Sequence, residues 1–183
     1  MYQKRTVVGS QSTFFPNGVA FAVPAAGTAS SSSKPGVTDA GWIALGPIKW
    51  SKEPATKTET YMAPAPGAYV AQDETVLSRG LTLKGKIEQQ SNLAYQLALS
   101  TAQLPASGAA GTAGGVYNPL AGSPVVQGWL HVQEYDQNNV LINVVDYWVA
   151  LKSSGATNND DKAAETPIEA VVLFSTLNVG TLS

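Results

Sequence analysis

The sequence predicts a mainly β, antiparallel domain with one flanking α-helix. Three stretches carry that expectation. From Leu81 to Gln90 the chain alternates, with Leu81, Leu83, Gly85, Ile87 and Gln89 on one side and Thr82, Lys84, Lys86, Glu88 and Gln90 on the other. Alternation of this length marks a strand with one wet face. Val125 to Leu151 reads as a hairpin, with Val126, Gly128, Leu130 and Val132 alternating against Gln127, Trp129, His131 and Gln133. Asp136-Gln137-Asn138-Asn139 supplies its turn, since Asp and Asn tolerate tight backbone. The helical period follows Ser91, which is placed to cap an orphan amide. Leu93 and Leu97 lie one turn apart, Leu104 two turns further, and Pro105 ends the pattern.

The remaining elements follow in order. Residues 1–40 carry little periodicity and are expected to form a flexible arm. Val19, Phe21 and Val23 could form a short strand within it, and Ala25 to Gly36 has the small, polar composition of a linker. Phe14, Phe15 and Phe21 are costly to leave exposed, so they are candidates for contact with a neighbouring subunit. Residues 41–183 form the single folded domain in this reading. Gly41 to Trp50 is strand-like but interrupted at Gly46-Pro47, which places it at an edge or a bulge. Thr56 to Met62 alternates threonine with Lys57, Glu59 and Tyr61, a strand pattern. Ala63 to Gln72 reads as a proline-rich connection, and residues 105–124 as a long glycine-rich loop. The return strand Val140 to Leu151 is apolar on both faces apart from Asn143 and Asp146, so it is central or covered. Tyr147 and Trp148 are core aromatics by default and interface anchors as the alternative. Ile168 to Val179 is the last strand.

Leu81, Leu83 and Ile87 are expected to pack inward beneath Leu93 and Leu97, leaving Thr82, Lys84, Lys86 and Glu88 to face water. Composition points to self-assembly. Charged residues are 13% of the 183-residue chain, about half the usual share. With 44% hydrophobic residues and 17 glycines, such a surface has weak protection against association. A net charge of -2 offers no general attraction for nucleic acid, and the basic residues are scattered. Cysteine is absent, which removes disulfides and thiolate chemistry. No secretory leader and no membrane span are expected.

Little in the chain suggests catalysis or a cofactor. His131 is the single histidine, so a zinc site would need carboxylates for its other ligands. Asp146 can lie across the hairpin from Trp129 or His131; a structural hydrogen bond is the reading adopted, because no activated nucleophile accompanies the pair. Asp73-Glu74 and Asp160-Asp161 are carboxylate pairs expected on loops. Gly108 to Gly115 lacks the Gly-Lys-Ser/Thr ending of a phosphate loop. Neither an enzyme nor a metal or cofactor site is expected.

The succession Leu45-Gly46-Pro47-Ile48-Lys49-Trp50, the threonine strand Thr56 to Thr60 and LTLKGKIEQQSNLAYQLALS from Leu81 to Ser100 resembles the tail tube (major tail) proteins of long-tailed bacteriophages. DYWVALKSSG from Asp146 and PIEAVVLFSTLNVGTL from Pro167 occupy the places of that family's last strands. The resemblance spans Gly41 to Leu182, with Pro105 to Pro124 as an insertion. It implies a β-sandwich or partial barrel with one flanking helix, hexameric rings stacked into a tube, and a lumen through which DNA passes without sequence-specific binding. The implied partners are further copies of the chain and the tape measure, tail tip and terminator proteins. The implied location is the virion tail, after synthesis in the host bacterial cytoplasm, in a contractile or non-contractile tail. Thr82, Lys84, Lys86 and Glu88 are then the lumen-facing candidates, although such a lumen is expected to be acidic. Another β-class virion protein, such as a head decoration protein, is one alternative. A carbohydrate-binding sandwich using Trp42, Trp50, Trp129 and Trp148 is the other.

Overall fold

The computed structural model describes residues 7–17, 29–88, 91–99, 125–157 and 165–178. Among these residues seven strands form one antiparallel sheet: β1 (Gly9–Pro16), β2 (Ile43–Pro47), β3 (Ser51–Ala65), β4 (Ala68–Ile87), β5 (Val125–Tyr135), β6 (Leu141–Ser153) and β7 (Thr166–Val172). Their order across the sheet is β2-β1-β5-β6-β7-β4-β3. The helix α1 (Asn92–Leu99) follows β4, and a 3-10 turn covers Thr176–Asn178.

The two edges of this sheet are neighbours in sequence. Only Ile48, Lys49 and Trp50 separate β2 from β3. Four Cα steps reach at most about 15 Å, whereas seven flat strands would be about 29 Å across. The sheet must therefore curl until its edges approach, which makes it a partial barrel. Backbone and side-chain hydrogen bonds hold the seam. Ile48 N donates to Ser10 O at 3.2 Å, and Ser10 Oγ donates back to Ile48 O. Trp50 Nε1 donates to Ser12 Oγ at 2.8 Å. Lys52 Nζ on β3 reaches across to Glu134 Oε1 on β5 at 2.6 Å.

The inside of the curl is filled. Phe14, Leu45, Leu83, Ile87, Leu130 and Ile168 are among its buried residues, and Leu93, Ala94 and Leu97 of α1 join the same cluster. Ser91 caps the helix, its Oγ accepting from Ala94 N at 3.1 Å. Leu83 and Ile87 thus share a core with Leu93 and Leu97, with Leu81 packed at its margin. The helix itself lies against β6 and β7.

A smaller cluster lies on the opposite face of the sheet. Register sets Phe15 beside Trp129 and Trp129 beside Trp148. Residues 29–42 fold over these rings. Ala29 is buried there and Trp42 packs at the edge, while the carbonyls of Ser30 and Ser33 accept from Trp129 Nε1 at 2.9 and 3.1 Å.

These contacts correct several expectations. Residues 1–40 are not simply an arm, because β1 is inserted between β2 and β5. Nor are residues 29–36 a free linker. Phe14, Phe15 and Trp148 are buried within one chain and are unavailable as contacts between subunits; Tyr147 is half-buried against the main core. The physical reason is pairing on both sides of β1 and β5, which turns adjacent aromatics into opposite, covered faces. Ala63 to Gln72 is no mere connection, since the two strands run through it to a turn at Pro66-Gly67. Gly67 has φ 77°, the left-handed value a turn of this kind demands after proline. Asp73-Glu74 lies within β4 and not on a loop. Phe21, the strand expected at Val19 to Val23, Gln89 and Gln90, Leu104, the loop 105–124 and Asp160-Asp161 fall outside the described residues.

Candidate assembly surface

The β3–β4 hairpin runs far beyond the sheet that roots it. β4 pairs with β7 only from Thr82 to Ile87. From Ala55↔Gly80 to Ala65↔Ala68 the two strands have only each other among the described residues, over eleven paired positions, or ~35 Å at strand rise. The sequence explains the exposure. Thr56, Lys57, Thr58, Glu59 and Thr60 are polar on both sides of the strand, so neither face has reason to seek a core. Every residue from Ser51 to Met62 is exposed, as is every one from Ala71 to Gly80. Tyr61, Met62, Tyr69, Val76 and Leu77 are large apolar side chains left in water. Register shifts between Lys57/Thr58 and between Tyr61/Met62 place one extra residue each on β4, and bulges of this kind sharpen the twist of a ribbon. An isolated two-stranded ribbon is at best marginally stable in water.

Charge is graded along this arm. The outer part, from Thr58 to Val76, holds Glu59, Asp73 and Glu74 and no base. Nearer the root stand Lys57 and Arg79. Among the described residues none of these five takes part in an ion pair.

Below the arm, Lys84, Lys86 and Glu88 are exposed and Thr82 is half-buried. Lys84 and Lys86 are not free charges. Lys84 pairs with Glu53 at 2.7 Å and Lys86 with Glu165 at 2.6 Å. The hydrogen bond and charge of each carboxylate raise the pKa of its lysine. Lys84 also sits opposite Glu169, and Glu169 opposite Lys152 at 3.7 Å. Glu53, Lys84, Glu169 and Lys152 therefore make a row of alternating sign across four strands. Sequence reasoning found the lysines and missed their partners, because cross-strand neighbours are set by a register that only the folded sheet reveals.

The seam contains the most protected charge among the described residues. Glu134 is 8% exposed. Burial alone would raise its pKa, but hydrogen bonds from Lys52 and Asn143, with the lysine's charge, hold it below its ordinary value. On the other face, His131 stands opposite Asp146 and its Nδ1 lies 2.6 Å from Asp146 Oδ1. Lys34 Nζ bonds the other carboxylate oxygen at 2.5 Å. Burial pushes Asp146 up, and these two partners more than offset that, so its pKa is lowered. Trp42 covers the imidazole edge-on at a centroid distance of 5.9 Å. The arrangement pins residues 34–42 to the sheet, a structural role for the histidine.

No protein-family model matches the chain, and no curated protein matches it significantly. No helix among the described residues is long and apolar enough to cross a membrane.

Proposed function

We propose that this chain is a structural subunit that assembles with copies of itself, as the tail tube protein of a long-tailed phage, into stacked rings around a DNA conduit. The projecting arm carries the reading. A ribbon exposed on both faces and longer than its own root needs a neighbour to be stable, and 13% charged residues leave little electrostatic protection against that neighbour. The curled sheet is filled by its own side chains, so a conduit would be formed between copies and not through one. In a ring, neighbouring copies could cover the open edges of β2 and β3. The implied setting is the virion tail, with tape measure, tip and terminator proteins as further partners. The tryptophans give the carbohydrate alternative little support: Trp129 and Trp148 are buried, and Trp42 and Trp50 are half-buried.

Negative-stain imaging of the purified protein at rising concentration tests this. Rings or tubes are the expected outcome. A compact monomer at every concentration and salt, unchanged by tail accessory proteins, would reject the proposal.

A further inference from the structure

The free edge of β3 has a sequence that matches itself. β3 is the last strand of the sheet, and among the described residues nothing pairs with its outer side. Pro54 and Pro64 show which of its residues point outward. A proline nitrogen cannot donate to β4, so prolines sit where the amide side faces solvent. Both have even numbers, so with the alternation of a strand Thr56, Thr58, Thr60 and Met62 turn their N–H and C=O groups away from β4. The run between the prolines is an open ladder of backbone donors and acceptors, and every side chain from Ala55 to Met62 is exposed.

We propose that this edge pairs antiparallel with the same edge of a second copy, about a two-fold axis at Thr58. Two antiparallel registers place the outward groups opposite one another near the middle of the run. Centring on Glu59 sets Glu59 against Glu59 of the second copy and Lys57 against Tyr61. Centring on Thr58 sets Lys57 against Glu59 twice by symmetry, with Thr56 against Thr60 and Thr58 against itself. Opposite charges directly across a strand pair stabilise it, and like charges oppose it. Charge therefore selects the second register. Lys57 and Glu59 have no ion-pair partner within the described chain, so they are available to one another across the axis. The product is a four-stranded sheet made from two arms, closed by two-fold symmetry and needing no third copy. This pairing goes beyond the tube reading: it describes a dimer that hides the most exposed edge of the free subunit.

The test uses the full chain and five single variants at exposed positions, with circular dichroism confirming that each remains folded. Lys57→Glu alone and Glu59→Lys alone each create like-charge pairs in the homodimer, so sedimentation velocity should show dimerisation weakened by roughly tenfold or more. Mixing those two variants places opposite charges across the axis again, and the mixture should dimerise about as well as the original chain. Because cysteine is absent, single Ala55→Cys, Thr58→Cys or Met62→Cys substitutions can be spin-labelled cleanly. The intermolecular distance should be shortest at position 58. A mixture no better than either variant, a shortest distance at position 55 or 62, or a chain that stays monomeric overturns the pairing. Tubes formed from a subunit that is monomeric before assembly would also overturn it while leaving the tube reading intact. Dimers that never yield rings or tubes would do the reverse.

Discussion

Leu83 and Lys84 are adjacent on β4 and differ completely in consequence. Leu83 is 1% exposed within the main cluster, and Lys84 stands in water beside Glu53. Leu83→Ala should destabilise the fold by about 2–5 kcal/mol, read from denaturant unfolding. Lys84→Glu should leave unfolding close to that of the original chain, since an exposed ion pair contributes little; equal losses in the two variants would contradict the face assignment. Glu134 gives a pH signature. Its folded pKa lies below the ordinary 4.5, so its bridge stabilises above that value and is lost as pH falls through the folded pKa. Lys52, raised above 10.5 chiefly by its hydrogen bond to Glu134, contributes below 10.5 and loses its share as pH climbs past the folded value. Glu134→Gln should therefore flatten the fall in melting temperature on the acid side of pH 4.5, and a profile parallel to that of the original chain would show that the bridge is not coupled to folding. Side-chain alternation was enough to foresee Leu83 and Ile87 inside. Phe14 and Phe15 were not legible in the same way, because Ser10 and Ser12 disguise β1 as polar while their hydroxyls are spent on the seam.

The arm and the body should separate cleanly as elements. Replacing Thr56 to Arg79 with Asn-Gly joins Ala55 to Gly80, which already face one another, through a favoured two-residue hairpin turn. The shortened chain should keep a single cooperative melt near the original temperature, because the excised residues belong to neither core cluster. It should also lose self-assembly, as measured by light scattering. Loss of the fold itself would mean that the arm stabilises the body. The β5–β6 hairpin was readable from the sequence because its turn is local: Asp136 Oδ1 accepts from Asn138 N and Val140 N at 2.8 and 2.9 Å, and Asn139 takes φ 59°. The arm was harder. Its residues announce a strand, but nothing local says that the sheet ends before the strand does, and Pro66-Gly67 reads equally well as a loop.

At the scale of the molecule, a mainly β fold with one helix was legible from patterning, while closure into a partial barrel was expected from the resemblance and not from the residues themselves. That closure depends on β1 meeting β5 and β4 meeting β7, contacts far apart in sequence and invisible to any window of residues. The same separation governs time. The β3–β4 hairpin turns through two residues and can form within microseconds, while a sheet dominated by distant pairings takes milliseconds to seconds. Stopped-flow refolding should show a slow phase that Leu130→Ala accelerates in unfolding and that removal of the arm leaves unchanged. During synthesis the gap widens. The 85 residues from the end of β4 at Ile87 to the end of β7 at Val172 occupy the ribosome for roughly 4–17 s. Through that interval the arm is complete and the body that roots it does not yet exist. On a crowded messenger, the first surface one nascent copy can offer another is the arm.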